Sequence, residues 1–271
     1  CSGFFMPELP EVNTLAVALA RQLHNDSISS WQRLSPKLRK LIPDAAEAAS
    51  VTCRKIKSVK RVAKNIFIDF GGQHLLKIHL GMTGYFCLTR QQPEAFKHAH
   101  LQLLLASGRT LTFCDPRRFG SIEVTSLPAA RVVEPFAGEL TPAYLKVACG
   151  GRECSIKAWF MDQQVIAGLG NIYACESLFL AQIHPCRRCF TLNSAEAGHL
   201  AGAIKKVLKV AVHHKGTTFA DFMDSDGNPG ENQNYLMIFQ REGEGCVRCG
   251  ETVRRFRQGN RSSFYCSNCQ G

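Results

Sequence analysis

The chain reads as an α+β protein in which a helix leads into an antiparallel β domain and a helical segment ends in a four-cysteine metal site. Three observations predict this. Apolar residues recur at helical spacing near the start, short alternating apolar runs follow, and Cys246-x2-Cys249 is answered after sixteen intervening residues by Cys266-x2-Cys269. After Pro10, Val12, Leu15, Leu19 and Leu23 form one stripe, which predicts a helix from about Pro10 to His24 with the proline and Glu11 in its first turn. From Val51 to Thr125 the period shortens: Ile66, Ile68 and Phe70 form one set, Ile78 and Leu80 a second, Leu111 and Phe113 a third. Gly71-Gly72, Gly81 and Ser107-Gly108 punctuate them, as in an antiparallel sandwich or barrel.

Pro128, Pro135 and Pro142 mark a candidate linker. Beyond it the pattern predicts one helix from about Asn171 to Gln182 and a longer one starting near Asn193. There Asn193 and Glu196 fit a reciprocal cap, and Gly216 is placed to end the helix. The expected organisation is residues 1–5 as an extension (a tag or upstream read-through), 6–127 as the first domain, 128–142 as linker, 143–242 as a helical domain and 243–271 as a zinc finger.

Charge and cysteine content narrow the function classes. The 33 lysines and arginines against 22 acidic residues leave a net charge of +11. Such an excess suits a polyanionic partner, because each neutralised phosphate releases counterions. No apolar stretch is long enough to span a membrane and the first residues lack a signal-peptide layout, so an intracellular protein without a membrane partner is expected. Cys53, Cys87, Cys114 and Cys175 stand among apolar neighbours and read as small buried hydrophobes in a reducing compartment. Cys186-x2-Cys189 lacks a second half and reads as ordinary thiols, with metal binding as the less favoured alternative.

Four thiolates from two tight turns close a tetrahedral shell, so Cys246, Cys249, Cys266 and Cys269 are expected to hold one structural Zn2+. Arg248, Arg254, Arg255, Arg257 and Arg261 surround them, opposed only by Glu251. Asp115 to Gly120 reads DPRRFG, a turn with two cations and an aromatic. It is either a polar turn with a core phenylalanine or a wedge that opens a base step. Gly168-Leu169-Gly170-Asn171 before a helix leaves backbone N–H groups at a helix N-terminus, a phosphate seat or a simple turn. His213-His214 near a helix end suits the helix dipole.

Met6 to Val12 reads MPELPEV, Lys64 sits in RVAKN, and His79 to Gly84 reads HLGMTG. Ile156-Lys157, GLGNIYACE from Gly168 to Glu176, SDGNPG from Ser225 to Gly230 and the finger with Arg261 complete the series. In this order, and over nearly the whole chain from Met6, the sequence closely resembles the formamidopyrimidine-DNA glycosylases of the Fpg/Nei family, which excise 8-oxoguanine and cleave abasic sites. The resemblance implies a β-sandwich preceded by a helix, then a helix-two-turn-helix domain ending in a zinc hairpin. It implies that Pro7 is the nucleophile, forming a Schiff base at C1′, and that Glu8 is the acid that opens the sugar. Lys64 is then the lysine that contacts phosphate and assists β-elimination, and Arg261 the finger arginine that assists δ-elimination. Asn171 holds the phosphate beside a flipped nucleotide, and Met82, Arg117 and Phe119 fill the gap in the stack. His98, Arg152 and Lys157 align with further DNA contacts, and a loop from Thr217 to Gln233 closes over the lesion. Family members that prefer oxidised pyrimidines usually have glycine in place of Leu9, so purine lesions are expected.

Three departures stand out. Asn13 occupies a position where glutamate is common, the lesion loop reads Gly230-Glu231-Asn232-Gln233, and five residues precede Met6. An amide nitrogen at Pro7 could not form a Schiff base, so translation from Met6 with methionine removal is the expectation. A retained extension would instead leave a non-catalytic protein that binds damaged DNA. A zinc-ribbon RNA-binding protein explains the charge and cysteines but not PELPEV or the DPRRFG turn. The expected molecule is a monomeric bacterial cytoplasmic enzyme, associated with the nucleoid through double-stranded DNA that carries oxidised bases or abasic sites.

Overall fold

The computed structural model describes residues 6–90, 96–126, 132–218 and 229–271. The chain divides into two compact units. The first comprises residues 1–130 and 214–233, the second 131–213 and 234–271. Residues 214–233 thus fall in the first unit, and the finger falls with the helices in the second.

In the first unit, α1 (Leu9–Gln22) carries Leu9 and Pro10 in its first turn and buries Val12, Leu15 and Leu19. Eight strands follow: β1 (Ile28–Arg33), β2 (Ser58–Val62), β3 (Asn65–Asp69), β4 (Leu75–His79), β5 (Tyr85–Thr89), β6 (Ala99–Leu105), β7 (Thr110–Cys114) and β8 (Ser121–Thr125). They form two antiparallel four-stranded sheets, ordered β1-β6-β7-β5 and β2-β3-β4-β8, which selects the sandwich over the barrel. One apolar core joins Ile66, Ile68, Phe70, Ile78 and Leu80 to Leu111 and Phe113, and Val12, Leu15, Leu19 and Leu23 pack into it. Every apolar position chosen by periodicity in this unit is therefore interior.

Strand β1 lies ahead of the region expected to hold strands. Its sequence, ISSWQR, is mostly polar because it is a sheet edge, burying only Ile28 and Trp31. Cys114 and Cys175 are buried as expected and Cys87 is partly so. Cys53 corrects the expectation: it is exposed, in a left-handed turn at φ 58°.

The second unit contains α2 (Pro142–Cys149), α3 (Ile156–Phe160), α4 (Asn171–Leu180) and α5 (Ser194–His213), then β9 (Arg254–Gln258) paired with β10 (Arg261–Tyr265). Pro128 lies outside the described residues. Pro142 does not sit in a linker: it opens α2, whose cap Thr141 accepts the Tyr144 N–H at 3.0 Å. Helix α5 starts at the expected box, where Glu196 N–H donates to Asn193 Oδ1 and Asn193 N–H to Glu196 Oε2, both at 2.9 Å. It ends at His213, short of Gly216. Helix α4 is buried from Asn171 to Phe179, a central strut rather than an amphipathic surface helix.

Candidate functional site

In the first unit most candidate residues lie at the start of α1 and on the β2–β3, β4–β5 and β7–β8 turns. Pro7 is buried, and Glu8 is 3% exposed. Glu11 fixes this entry. One carboxylate oxygen accepts the Glu8 N–H at 2.8 Å and the other accepts the Thr217 N–H at 2.7 Å. A Cβ on Gly216 would come within 2.8 Å of the same carboxylate, so the glycine permits this approach. Glu11, chosen from sequence only as a helix-start residue, thus ties the α1 entry to the stem of the 217–233 loop. That stem continues through Asn232 Nδ2 donating to Thr217 Oγ1 at 2.7 Å and Gly230 N–H donating to Thr218 Oγ1 at 2.8 Å. Residues 219–228 of the loop, and the Cys1–Phe5 extension, lie outside the described residues.

Met82 and the DPRRFG turn form a second group. Asp115 is fully buried and organises both segments: its carboxylate accepts from Thr83 Oγ1 at 2.6 Å, Gly120 N–H at 2.7 Å and Arg117 N–H at 3.2 Å. Gly81, at φ +66°, has no room for a Cβ, which would lie 2.4 Å from the Phe119 carbonyl carbon. The two turns are therefore packed backbone to backbone. Phe119 is 45% exposed with the Arg117 guanidinium 5.1 Å from its ring centre, so it is not a core phenylalanine. His98 is exposed in a left-handed conformation, and its carbonyl accepts the Asp115 N–H at 3.0 Å.

Lys64 is 6% exposed in the β2–β3 turn, and its charge reaches His79 at the end of β4. Burial, with the cations Lys64, Arg39 and Lys77, pulls His79 from 6.5 down to about 4, against an opposing pull from Glu123. The neutral ring serves the neighbouring turn. Its Nδ1 accepts the Gly81 N–H at 3.0 Å, which fixes the segment that presents Met82. Between pH 6.5 and 4 the unfolded chain takes up a proton that the folded chain refuses. The stabilisation is therefore complete above pH 6.5 and is lost as pH falls through that window, by about 3 kcal/mol. His79→Gln, which keeps an acceptor but cannot titrate, is expected to flatten the fall of Tm between pH 7 and 4.5. An unchanged fall in that variant counts against the assignment.

In the second unit, Asn171 begins α4 after Gly168-Leu169-Gly170. Gln163 shapes that turn by accepting the Gly168 N–H at 3.0 Å and donating to the Leu169 carbonyl at 2.7 Å. No sequence signal marks Gln163, since its partners are backbone groups. The Lys157 side chain is fully buried, and Nζ donates to Asn171 Oδ1 at 2.6 Å, Ser263 Oγ at 2.8 Å and the Ser262 carbonyl at 3.2 Å. An ammonium so enclosed orients Asn171 against β10. Asn171 Nδ2 also donates to the Ser262 carbonyl at 3.1 Å. Glu176, five residues along α4, accepts N–H groups from Met237, Ile238 and Phe239 at 2.8–2.9 Å. Burial pushes its carboxyl up while these donors pull the other way. Arg152 is exposed, with Nε donating to the Ala148 carbonyl at 2.9 Å.

The four-cysteine cluster is formed as its spacing predicts, with all Sγ atoms within 4.8 Å of one another. Cys246 and Cys269 stand 3.9 Å apart and Cys249 and Cys266 3.5 Å. Four sulfurs about 2.3 Å from a tetrahedral zinc stand about 3.8 Å apart, so the site fits one structural Zn2+. Arg248, Arg254, Arg255, Arg257 and Arg261 are all exposed. Glu251 is not the nearest opposing charge: Arg255 pairs with Glu242 at 2.7 Å. Arg257, Asn260, Arg261 and Ser262 line a concavity on the β9–β10 hairpin. Cys249→Ser is expected to release one zinc per chain, and to weaken duplex-DNA binding about tenfold or more as the arginine hairpin loses its frame. Metal analysis and titration of labelled duplex check this; full retention of both would refute it.

No helix among the described residues is long and apolar enough to cross a membrane. Three family models match consecutive stretches: the formamidopyrimidine-DNA glycosylase N-terminal domain at residues 6–122, the formamidopyrimidine-DNA glycosylase H2TH domain at 132–223, and the zinc finger found in FPG and IleRS at 243–271. A formamidopyrimidine-DNA glycosylase of Pectobacterium atrosepticum is 39% identical, with 98% of this chain and all of the relative covered. One of Chloroflexus aurantiacus is 36% identical, with 98% of each covered. Among solved structures, the MutM (Fpg) protein of Thermus thermophilus superposes with a TM-score of 0.85 at 33% identity, covering 98% of this chain and 99% of that one. A Lactococcus lactis Fpg in complex with DNA containing an abasic site gives 0.88 at 27%, covering 97% and 99%. With successive segments matched in order and relatives aligned over their whole length, the chain belongs to the formamidopyrimidine-DNA glycosylase family.

Proposed function

We propose that this protein finds oxidised purines in duplex DNA, removes them as the free base, and cleaves the strand at the resulting abasic site. It is a base excision repair enzyme, a bifunctional formamidopyrimidine-DNA glycosylase and abasic-site lyase. The observation that carries the reading is the α1 entry, where a proline and a carboxylic acid stand side by side in a frame held by Glu11.

Pro7, as a free chain terminus, attacks C1′ through its secondary amine. The N–C1′ bond forms as the ring opens and the base departs, leaving an iminium. Glu8 supplies the proton to the sugar oxygen. The iminium acidifies the neighbouring C2′ position, so the 3′ phosphate leaves by β-elimination and the 5′ phosphate by δ-elimination. Lys64 assists the first and Arg261 the second. Met82, Arg117 and Phe119 occupy the space vacated by the flipped nucleotide; an exposed ring braced by a guanidinium suits that role. Asn171, His98 and Arg152 engage the DNA backbone, and Lys157 positions Asn171. The zinc holds the hairpin in shape and takes no part in the chemistry.

The lesions are 8-oxoguanine and formamidopyrimidines. The protein acts as a monomer and is held at the bacterial nucleoid by its affinity for DNA. A duplex containing a single 8-oxoguanine tests the reading. Release of the base with strand scission leaving phosphate at both ends of the gap is the expected result. Specific binding without scission would reduce the protein to a damage-binding module, and an equal preference for single-stranded RNA would remove DNA repair altogether.

A further inference from the structure

The second unit holds a thiol cluster that the zinc site and the repair chemistry do not use. Cys149 ends α2, Cys154 lies in the loop before α3, and Cys189 opens the turn before α5. The loop and the turn run antiparallel. Ser155 pairs with Arg188, with Cys189 N–H donating to the Cys154 carbonyl at 3.0 Å and Ile156 N–H donating to the Arg187 carbonyl at 2.8 Å. Cys154 and Cys189 are therefore directly opposite residues of an antiparallel pair. Such residues have Cα atoms about 5.5 Å apart when they share the ladder bond, within the span of a disulfide. Their sulfurs are 3.8 Å apart. Cys154 is exposed and Cys189 is buried, so an oxidant reaches the second thiol only beside the first.

We propose that Cys154 and Cys189 form a reversible redox pair, closed to an intramolecular disulfide by a hydroperoxide. The peroxide oxygen is transferred to Cys154 Sγ, giving a sulfenic acid and releasing water or an alcohol. Cys189 Sγ then attacks that sulfur; the S–S bond forms, the S–O bond breaks, and the oxygen leaves as water with the Cys189 proton. The net change is two thiols and one hydroperoxide to one disulfide, one water and one alcohol (or a second water). The closed pair lies two residues from Arg152, whose carbonyl already accepts the Phe190 N–H at 3.1 Å. The bridge therefore adds a covalent tie to the backbone hydrogen bonds that join the two segments.

The sequence draws attention to the wrong pairing, because Cys186 and Cys189 are neighbours in a CxxC. Reduced, zinc-loaded full-length protein treated with a modest excess of hydrogen peroxide, alkylated and digested separates the possibilities. The expected product is a Cys154–Cys189 linked peptide with the loss of two hydrogens, reversed by dithiothreitol, while zinc stays bound. The link persists in Cys186→Ser and vanishes in Cys154→Ser, a surface substitution whose zinc content reports that the fold is kept. Alkylation of both Cys154 and Cys189 after peroxide, or linkage of Cys189 to Cys186 or Cys149, overturns the proposal.

Discussion

Borohydride added to the protein on a duplex containing 8-oxoguanine is expected to trap a covalent protein–DNA adduct, and a chain that retains any residue ahead of Pro7 is expected to give none. The reason lies in one lone pair. A chain-terminal secondary amine titrates near neutrality, so a useful fraction is unprotonated and nucleophilic. An acylated proline nitrogen delocalises the same electrons into the peptide carbonyl and cannot add to C1′. Loss of a covalent nucleophile costs on the order of a thousandfold or more in rate, because the remaining contacts still bind but no longer open a new path. Backbone contacts elsewhere do not depend on this nitrogen, so duplex affinity is expected to change little. Intact mass read on the same samples ties each outcome to the residue that begins the chain. An adduct of undiminished yield from a chain with Pro7 in amide linkage would remove it as the nucleophile.

The second large effect is at Glu8. Glu8→Gln is nearly the same size and keeps the position at which α1 begins, so the Glu11 bond to its backbone N–H should survive. What is lost is the transferable proton. Base release is expected to fall by about 10²–10⁴, the usual contribution of a positioned acid, with affinity for the lesion duplex within about threefold of the parent. A preformed abasic site, whose sugar already opens spontaneously, should be cleaved with a smaller loss. Single-turnover base release and strand scission, measured separately, read these two steps. Equal losses in binding and in both chemical steps would mean that the side chain holds the fold together and has no role as an acid.

Much of the interior is legible in the linear order. The helical stripe from Val12 to Leu23 and the alternating sets at 66–70, 78–80 and 111–113 all reach the core, because burial imposes a period the chain cannot disguise. The zinc cluster is equally plain, since two CxxC turns leave few ways for thiolates to meet. The box of Asn193 and Glu196 involves only residues three apart.

Contacts distant in sequence are another matter. Nothing in the linear order says that Glu11 holds Thr217, that Lys157 is spent on Asn171 and Ser263, or that Glu176 caps three N–H groups at 237–239. Strand β1 is hidden for a different reason, because an edge strand needs few apolar residues. Sequence pattern therefore settled which apolar residues go inside and which cysteines can hold a metal, because these follow from local periodicity and ligand spacing. Folding alone decided which charges are exposed and which are enclosed, and which thiol faces Cys189. Those outcomes depend on pairs that meet only when distant segments pack, and on the desolvation that packing imposes.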